Sequence, residues 1–175
     1  HLSDRLGKEE QMAIEFHHLG LIIQARGIVY DEAEEWYLAA LERWEKLGNR
    51  KAIGDECRQL GVLFHEQKRY DDAAKWYHQA REVFEEIGDI QRTARTYGQL
   101  GMIAEEQDDL TSALEWVART YQIAEEYNLP VLAQVKAHMG RLRDKYGLEN
   151  FIRWWQDFTG QEPPADLEVD TSAIL

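Results

Sequence analysis

Cysteine is nearly missing from this sequence: Cys57 is the single one in 175 residues. No disulfide can close within the chain, and a reducing compartment, the cytoplasm, is the expected setting. A run of about 18 apolar residues is missing too, so no membrane-spanning helix is expected. No signal-peptide pattern stands at the start. Basic residues are in the minority, 20 Lys and Arg against 33 Asp and Glu, for a net charge of −13. Such a field repels phosphate backbones, and the cations are scattered among acids, so nucleic acid is not an expected partner. Glycine-rich phosphate loops, a nucleophile elbow and a dinucleotide fingerprint are all lacking, so no cofactor and no enzymatic activity are expected. His65-Glu66 has no second histidine four residues on, and His17, His18, His65 and His138 are expected as surface or groove residues without metal. The paired acids Glu34-Glu35, Glu85-Glu86, Glu105-Glu106 and Glu125-Glu126 read as solvated helix faces.

What the sequence does have is a repeat. Asp31 to Gly48 (DEAEEWYLAALERWEKLG) returns at Asp71 (DDAAKWYHQAREVFEEIG) and at Thr111 (TSALEWVARTYQIAEEYN), 40 residues apart each time. Ala33, Ala73 and Ala113 match, and so do Trp36, Trp76 and Trp116. A period of this length announces stacked supersecondary units. Each unit reads as two helical patterns joined by a turn. The first helix of unit one is predicted over 9–24, with Met12, Phe16, Leu19 and Ile23 as its apolar stripe. Gly20, Gly61 and Gly101 recur mid-helix, each after a leucine. Glycine there costs about 1 kcal/mol against alanine, so its return in register points to a close approach of another helix. The second helix begins near Asp31, buries Ala33, Tyr37, Ala40 and Leu41, and ends at Gly48-Asn49.

The units expected are 9–49, 50–88, 89–128 and a degenerate capping pair at 129–158. Pro130 suits the first turn of a helix. Trp155 keeps phase, standing 15 residues after Gly140 as Trp76 stands after Gly61. Residues 1–8 parallel the exits of later units (Arg5-Leu6-Gly7 beside Lys46-Leu47-Gly48) and read as the end of a preceding repeat, in a piece of a longer protein. Residues 159–175 read as an acidic tail whose apolar end, Ala173-Ile174-Leu175, docks on the domain. The matched tryptophans are expected to join neighbouring second helices, each burying about 150–250 Å². Cys57 falls where Phe16 and Tyr97 stand in the other units, so a buried, unreactive thiol is expected.

The pattern Leu60, Gly61, Tyr70, Ala73, Tyr77 and Ala80, with Leu100, Gly101, Leu110 and Ala113, resembles that of tetratricopeptide repeat proteins over residues 9 to 158. The 40-residue length resembles the variant found in kinesin light chains, spindle adaptors and bacterial signalling proteins. The resemblance implies an all-α, right-handed α–α superhelix whose first helices line a concave groove. The groove positions it implies are His17, Leu21 and Gln24, then Asp55, Arg58, Val62, His65 and Glu66. Arg95, Gly98, Met102, Glu105 and Glu106 follow, then Gln134, Arg141, Asp144 and Lys145. An apolar floor of Leu21, Val62 and Met102, flanked by Arg58, Arg95 and Arg141, suits an amphipathic or acidic protein segment. The function implied is therefore protein or peptide binding. Two alternatives stand beside it. One is the sensor arm of a bacterial signal-transduction NTPase. The other is a weak homodimer, rather than a monomer, built on Phe151, Trp154 and Phe158.

Overall fold

The computed structural model describes residues 2–27 and 29–165. The expected docking of Ala173-Ile174-Leu175, and most of the tail, lie outside the described residues. Among these there are eight helices and no strand. In order they are α1 (Leu2–Arg26), α2 (Tyr30–Leu47), α3 (Arg50–Glu66), α4 (Tyr70–Glu86), α5 (Ile90–Glu106), α6 (Leu110–Glu126), α7 (Leu132–Tyr146) and α8 (Leu148–Thr159). The all-α helical-repeat class is the one expected. The chain divides into two compact units, one up to Thr96 and one from Tyr97, with the boundary inside α5.

The helix ends explain the regular period. Left-handed backbone stands at Gly27, Gly48, Lys68, Gly88, Asp108 and Asn128. After Gly27 to Gly48 the interval is 20 residues throughout. At Gly48 the turn closes with Gly48 N–H donating to Glu45 (3.0 Å) and Asn49 N–H to Trp44 (3.1 Å). This Schellman pattern satisfies carbonyls the helix leaves open. Helices α3 and α6 start on side-chain caps. Asn49 accepts from the Ala52 amide at 3.1 Å, and Asp109 from the Ser112 amide at 3.1 Å. Asp and Asn tolerate positive φ, but Lys68 (φ 59°) has no such compensation. Lys68→Gly should therefore raise stability by about 1 kcal/mol, read as a higher urea midpoint at unchanged slope.

In the first unit, each first helix lies against its own second helix through a glycine. A Cβ on Gly20 would stand 2.6 Å from the Tyr37 ring, and one on Gly61 2.6 Å from the Tyr77 ring. Gly54 leaves the same room for Phe84. Tyr37, Tyr77, Leu60, Leu63 and Phe84 fill this core. The expected stripe of α1 needs a correction. Ala13, Gly20 and Gln24 are buried, whereas Leu19 is 38% exposed, because nothing among the described residues covers that side of α1. The helix also begins at Leu2 rather than at residue 9, since 2–8 continue its hydrogen-bonded turns.

In the second unit, α6, α7 and α8 enclose Val117, Tyr121, Val135, Met139, Leu142, Phe151 and Trp155. Trp155 packs edge-on to Tyr121 at 5.5 Å. The tryptophans of the repeat act otherwise than expected. Trp36 packs on Phe16 at 5.2 Å and Trp116 on Tyr97 at 5.3 Å, each inside its own hairpin. The reason is register: each sits one residue before the side chain aimed at the mid-helix glycine, so its ring falls on the flank of the hairpin. Cys57 is 3% exposed, as expected, and burial pushes its thiol up to about 12.

Candidate functional site

The first helices carry the residues named by sequence, and the structure sorts them into three sets. One set ties helices together. His17 Nδ1 donates to both carboxylate oxygens of Glu56, at 3.1 and 3.0 Å, joining α1 to α3. Glu56 is 2% exposed. The hydrogen bond to Glu56 holds the His17 pKa above its ordinary value, and burial raises that of Glu56. Gln24 is 9% exposed and accepts from the Tyr37 hydroxyl at 2.5 Å and from Gln59 at 3.0 Å. It donates in turn to Glu66 at 2.9 Å. His17, half-buried, and Gln24, buried, are thus packing groups that fix α1, α2 and α3. Both lie where α3 meets the α1–α2 hairpin.

A second set lines a cavity of about 210 Å³ in the first unit: Asp55, Arg58, Gln91, Arg92 and Arg95. Arg92 is already engaged, by Asp55 at 2.8 Å and Asp89 at 2.9 Å. These bonds, chiefly that to Asp55, raise its pKa further. Arg58 and Arg95 form no ion pair among the described residues. Two guanidinium groups therefore face a recess with fork donors to spare. Val62 and His65 lie half-buried on the same helix as Arg58, and Leu21 is 39% exposed on α1.

The third set belongs to the second unit. Met102, Glu105, Glu106, Asp108, Arg141 and Lys145 line a cavity of about 390 Å³. Its cations are largely answered. Lys145 reaches Asp108 at 3.1 Å, and Arg141 lies 4.0 Å from Glu105. Glu105 is also 2.8 Å from His138. His138 is 4% exposed, so the expectation of a surface histidine is corrected. It is accommodated beside Gly101, where an added Cβ would lie 3.5 Å from its ring. Burial lowers its pKa.

The expected self-association patch does not form as drawn. Phe151 is 1% exposed and stacks on Trp155, and Trp154 is half-buried against Tyr146 at 5.9 Å. Phe158 alone of the three is open, at 45%. Helix α8 is amphipathic, and its phase turns Phe151 into the core with Trp155, four residues on.

Sequence reasoning missed Arg92 and Glu56. Glu56 had a signal: it stands at i with Leu60 at i+4 and Leu63 at i+7, an acid heading an otherwise apolar stripe.

Among the described residues no helix is long and apolar enough to cross a membrane. A family model described as tetratricopeptide repeat matches residues 57–126. Among solved structures, the crystal structure of BtubC (BKLC) from P. vanneervenii is similar, with a TM-score of 0.69 and 19% identity. The match covers 89% of this chain and 68% of that one, and at this identity it is a likeness of fold. No curated protein matches the chain.

Proposed function

We propose, from the premise that this chain is a tetratricopeptide repeat protein, that it binds a protein segment carrying acidic side chains beside apolar anchors. Tetratricopeptide repeats mediate protein–protein interaction, typically as scaffolds without catalysis. The observation that carries the finer reading is Arg58 and Arg95, two cations without carboxylate partners in a chain of net charge −13. Every other cation of the recesses described has an acid beside it. A guanidinium pairs with a carboxylate bidentately, and the contact gains strength where a recess limits solvent. Val62 and Leu21 supply apolar surface on the same first helices, where an anchor side chain can leave water.

The test uses the full chain and a displayed library of random peptides. Enriched peptides should carry Asp or Glu next to apolar residues. The double variant Arg58→Glu, Arg95→Glu should weaken their binding by about tenfold or more, with far-ultraviolet helix content unchanged. Unchanged affinity in a folded variant would refute the assignment.

A further inference from the structure

In the recess of the first unit one arginine takes the acid and two are left facing the space. Asp55 and Arg58 stand three residues apart on α3, and Arg92 and Arg95 three apart on α5. Residues at that spacing share a helix face, so each helix brings a pair to the same cavity of about 210 Å³. Arg92 reaches across to Asp55 at 2.8 Å and back to Asp89 at 2.9 Å. It thereby ties α3 to α5 and engages Asp55, the one carboxylate among the described lining residues. Arg58 could have paired with Asp55 along its own helix. Instead it stands, like Arg95, without an ion pair among the described residues. Asp89 adds little to the recess: it caps α5, accepting from the Arg92 amide at 3.0 Å, so its charge also answers the helix terminus.

The number of free donors decides which anion fits. Two free guanidiniums present about ten N–H groups in two planar forks. A carboxylate has two oxygens, about four lone-pair sites, and fills one fork. A phosphate ester has three strong acceptor oxygens and a charge of about −1.5 to −2 near pH 7, so it can answer both forks at once. The source of the group is narrowed by what surrounds the recess. A nucleic-acid strand carries further phosphates on either side, and the net charge of −13 opposes each of them. A free phosphate ion leaves Val62 unused, half-buried one turn beyond Arg58 on α3. A protein segment brings one phosphoryl group together with apolar neighbours.

We propose that the recess of Asp55, Arg58, Arg92 and Arg95 receives the phosphoryl group of a phosphorylated side chain, so that phosphorylation of the partner segment switches its binding on. This rests on the reading that Arg58 and Arg95 face an acidic protein segment, and it narrows that acid to a phosphate ester. Arg58 and Arg95 supply the forks, as clustered arginines do for phosphorylated motifs. Arg92 is a positioning residue, holding α3 and α5 at the spacing the two forks need.

The test immobilises the full chain and measures retention of three peptide pools. Their random flanks are identical and free of Asp and Glu, and the central residue is Ser, Glu or phosphoserine. The phosphoserine pool should be retained at least about tenfold more than the Glu pool, and the Glu pool more than the Ser pool. Arg58→Lys with Arg95→Lys keeps the net charge and removes the forks, and should lower phosphoserine retention about tenfold or more at unchanged helix content. If that double variant loses helix content, Arg95→Lys alone, at an exposed position of α5, takes its place. Equal retention of the phosphoserine and Glu pools, both above Ser, overturns the phosphoryl proposal and leaves the acidic-segment reading standing. Equal retention of all three overturns both. A phosphoserine preference that survives loss of the forks also overturns it, since the group is then held elsewhere. So does displacement of the phosphoserine pool by inorganic phosphate or a single-stranded oligonucleotide at the concentration of the pool itself, because the source is then the free ion or a nucleic acid.

Discussion

His17→Ala should destabilise the chain by about 2–4 kcal/mol near pH 6, and by clearly less above pH 8. The magnitude rests on Glu56. Removing one partner of a buried ion pair leaves the other charge uncompensated, at about 3–5 kcal/mol when burial is complete. Glu56 is 2% exposed, but the His17 side chain keeps 29% of its surface, so the lower part of the range applies. The pH dependence follows from direction alone. The His17 pKa is raised above 6.5 in the folded chain by its hydrogen bond to Glu56. Its contribution is therefore fully present below pH 6.5 and is lost as pH rises through the raised value. The raised pKa of Glu56 acts in the same sense. Its buried carboxylate is tolerated while imidazolium faces it, and becomes a burden when the imidazole is neutral. His138 and His78 have lowered pKa values through burial, and their contribution falls as pH drops below 6.5. Those contributions are common to both proteins and cancel in the difference. Urea unfolding of wild type and variant at pH 6 and pH 8.5 supplies the comparison. A difference in stability that is flat in pH would show that the pair is held as a neutral hydrogen bond.

Gly61→Ala and Gly140→Ala should move stability in opposite directions, although both glycines follow a large apolar residue at the same repeat position. At Gly61 an added Cβ would stand 2.6 Å from two carbons of the Tyr77 ring. That ring is 0% exposed and enclosed by the core, so it has nowhere to retreat. Overpacking of this kind costs about 1–3 kcal/mol, more than the roughly 1 kcal/mol gained from alanine's helix propensity. At Gly140 an added Cβ meets nothing within 4 Å. There the propensity gain acts alone, and stability should rise by about 0.5–1 kcal/mol. Thermal or denaturant midpoints decide both cases. Gly61→Ala at wild-type stability would mean that the α3–α4 hairpin relaxes more easily than its packing implies.

The pair also shows what a sequence can and cannot disclose. The recurrence of Leu-Gly in register was enough to locate the approach of helix on helix at residues 20, 61 and 101. It did not disclose that Gly140 had lost the need, because its partner there is not a ring in phase. The hairpins, their left-handed ends and the buried stripe of α2 were legible because local rules and tertiary packing agree there. The directions of Trp36 and Trp116 were not, since a one-residue change of phase on a helix moves a side chain by about 100°. The recess bearing Arg58 and Arg95 was legible only in part. Repeat position named both residues, but their lack of acid partners depends on Asp55 and Asp89 being taken by Arg92. Glu56 was missed because a polar residue on an apolar face is assigned to solvent by periodicity, and Gln24, named by repeat position as a groove residue, is buried against Tyr37 and Gln59. Only coordinates show the partner that makes its burial affordable.

That seam between the first two hairpins bears on how the chain avoids assembling in the wrong order. Copies of one hairpin look alike to one another, and greasy surfaces alone would let any of them stack on any other. At the place of Glu56 the next unit carries Thr96, which offers His17 no charge. A misplaced third hairpin on α1 would strand an imidazole, even though its Gln99 repeats the amide that Gln59 offers Gln24. The polar seam thus works as a key cut for one neighbour, conferring order on a molecule built from near-duplicates.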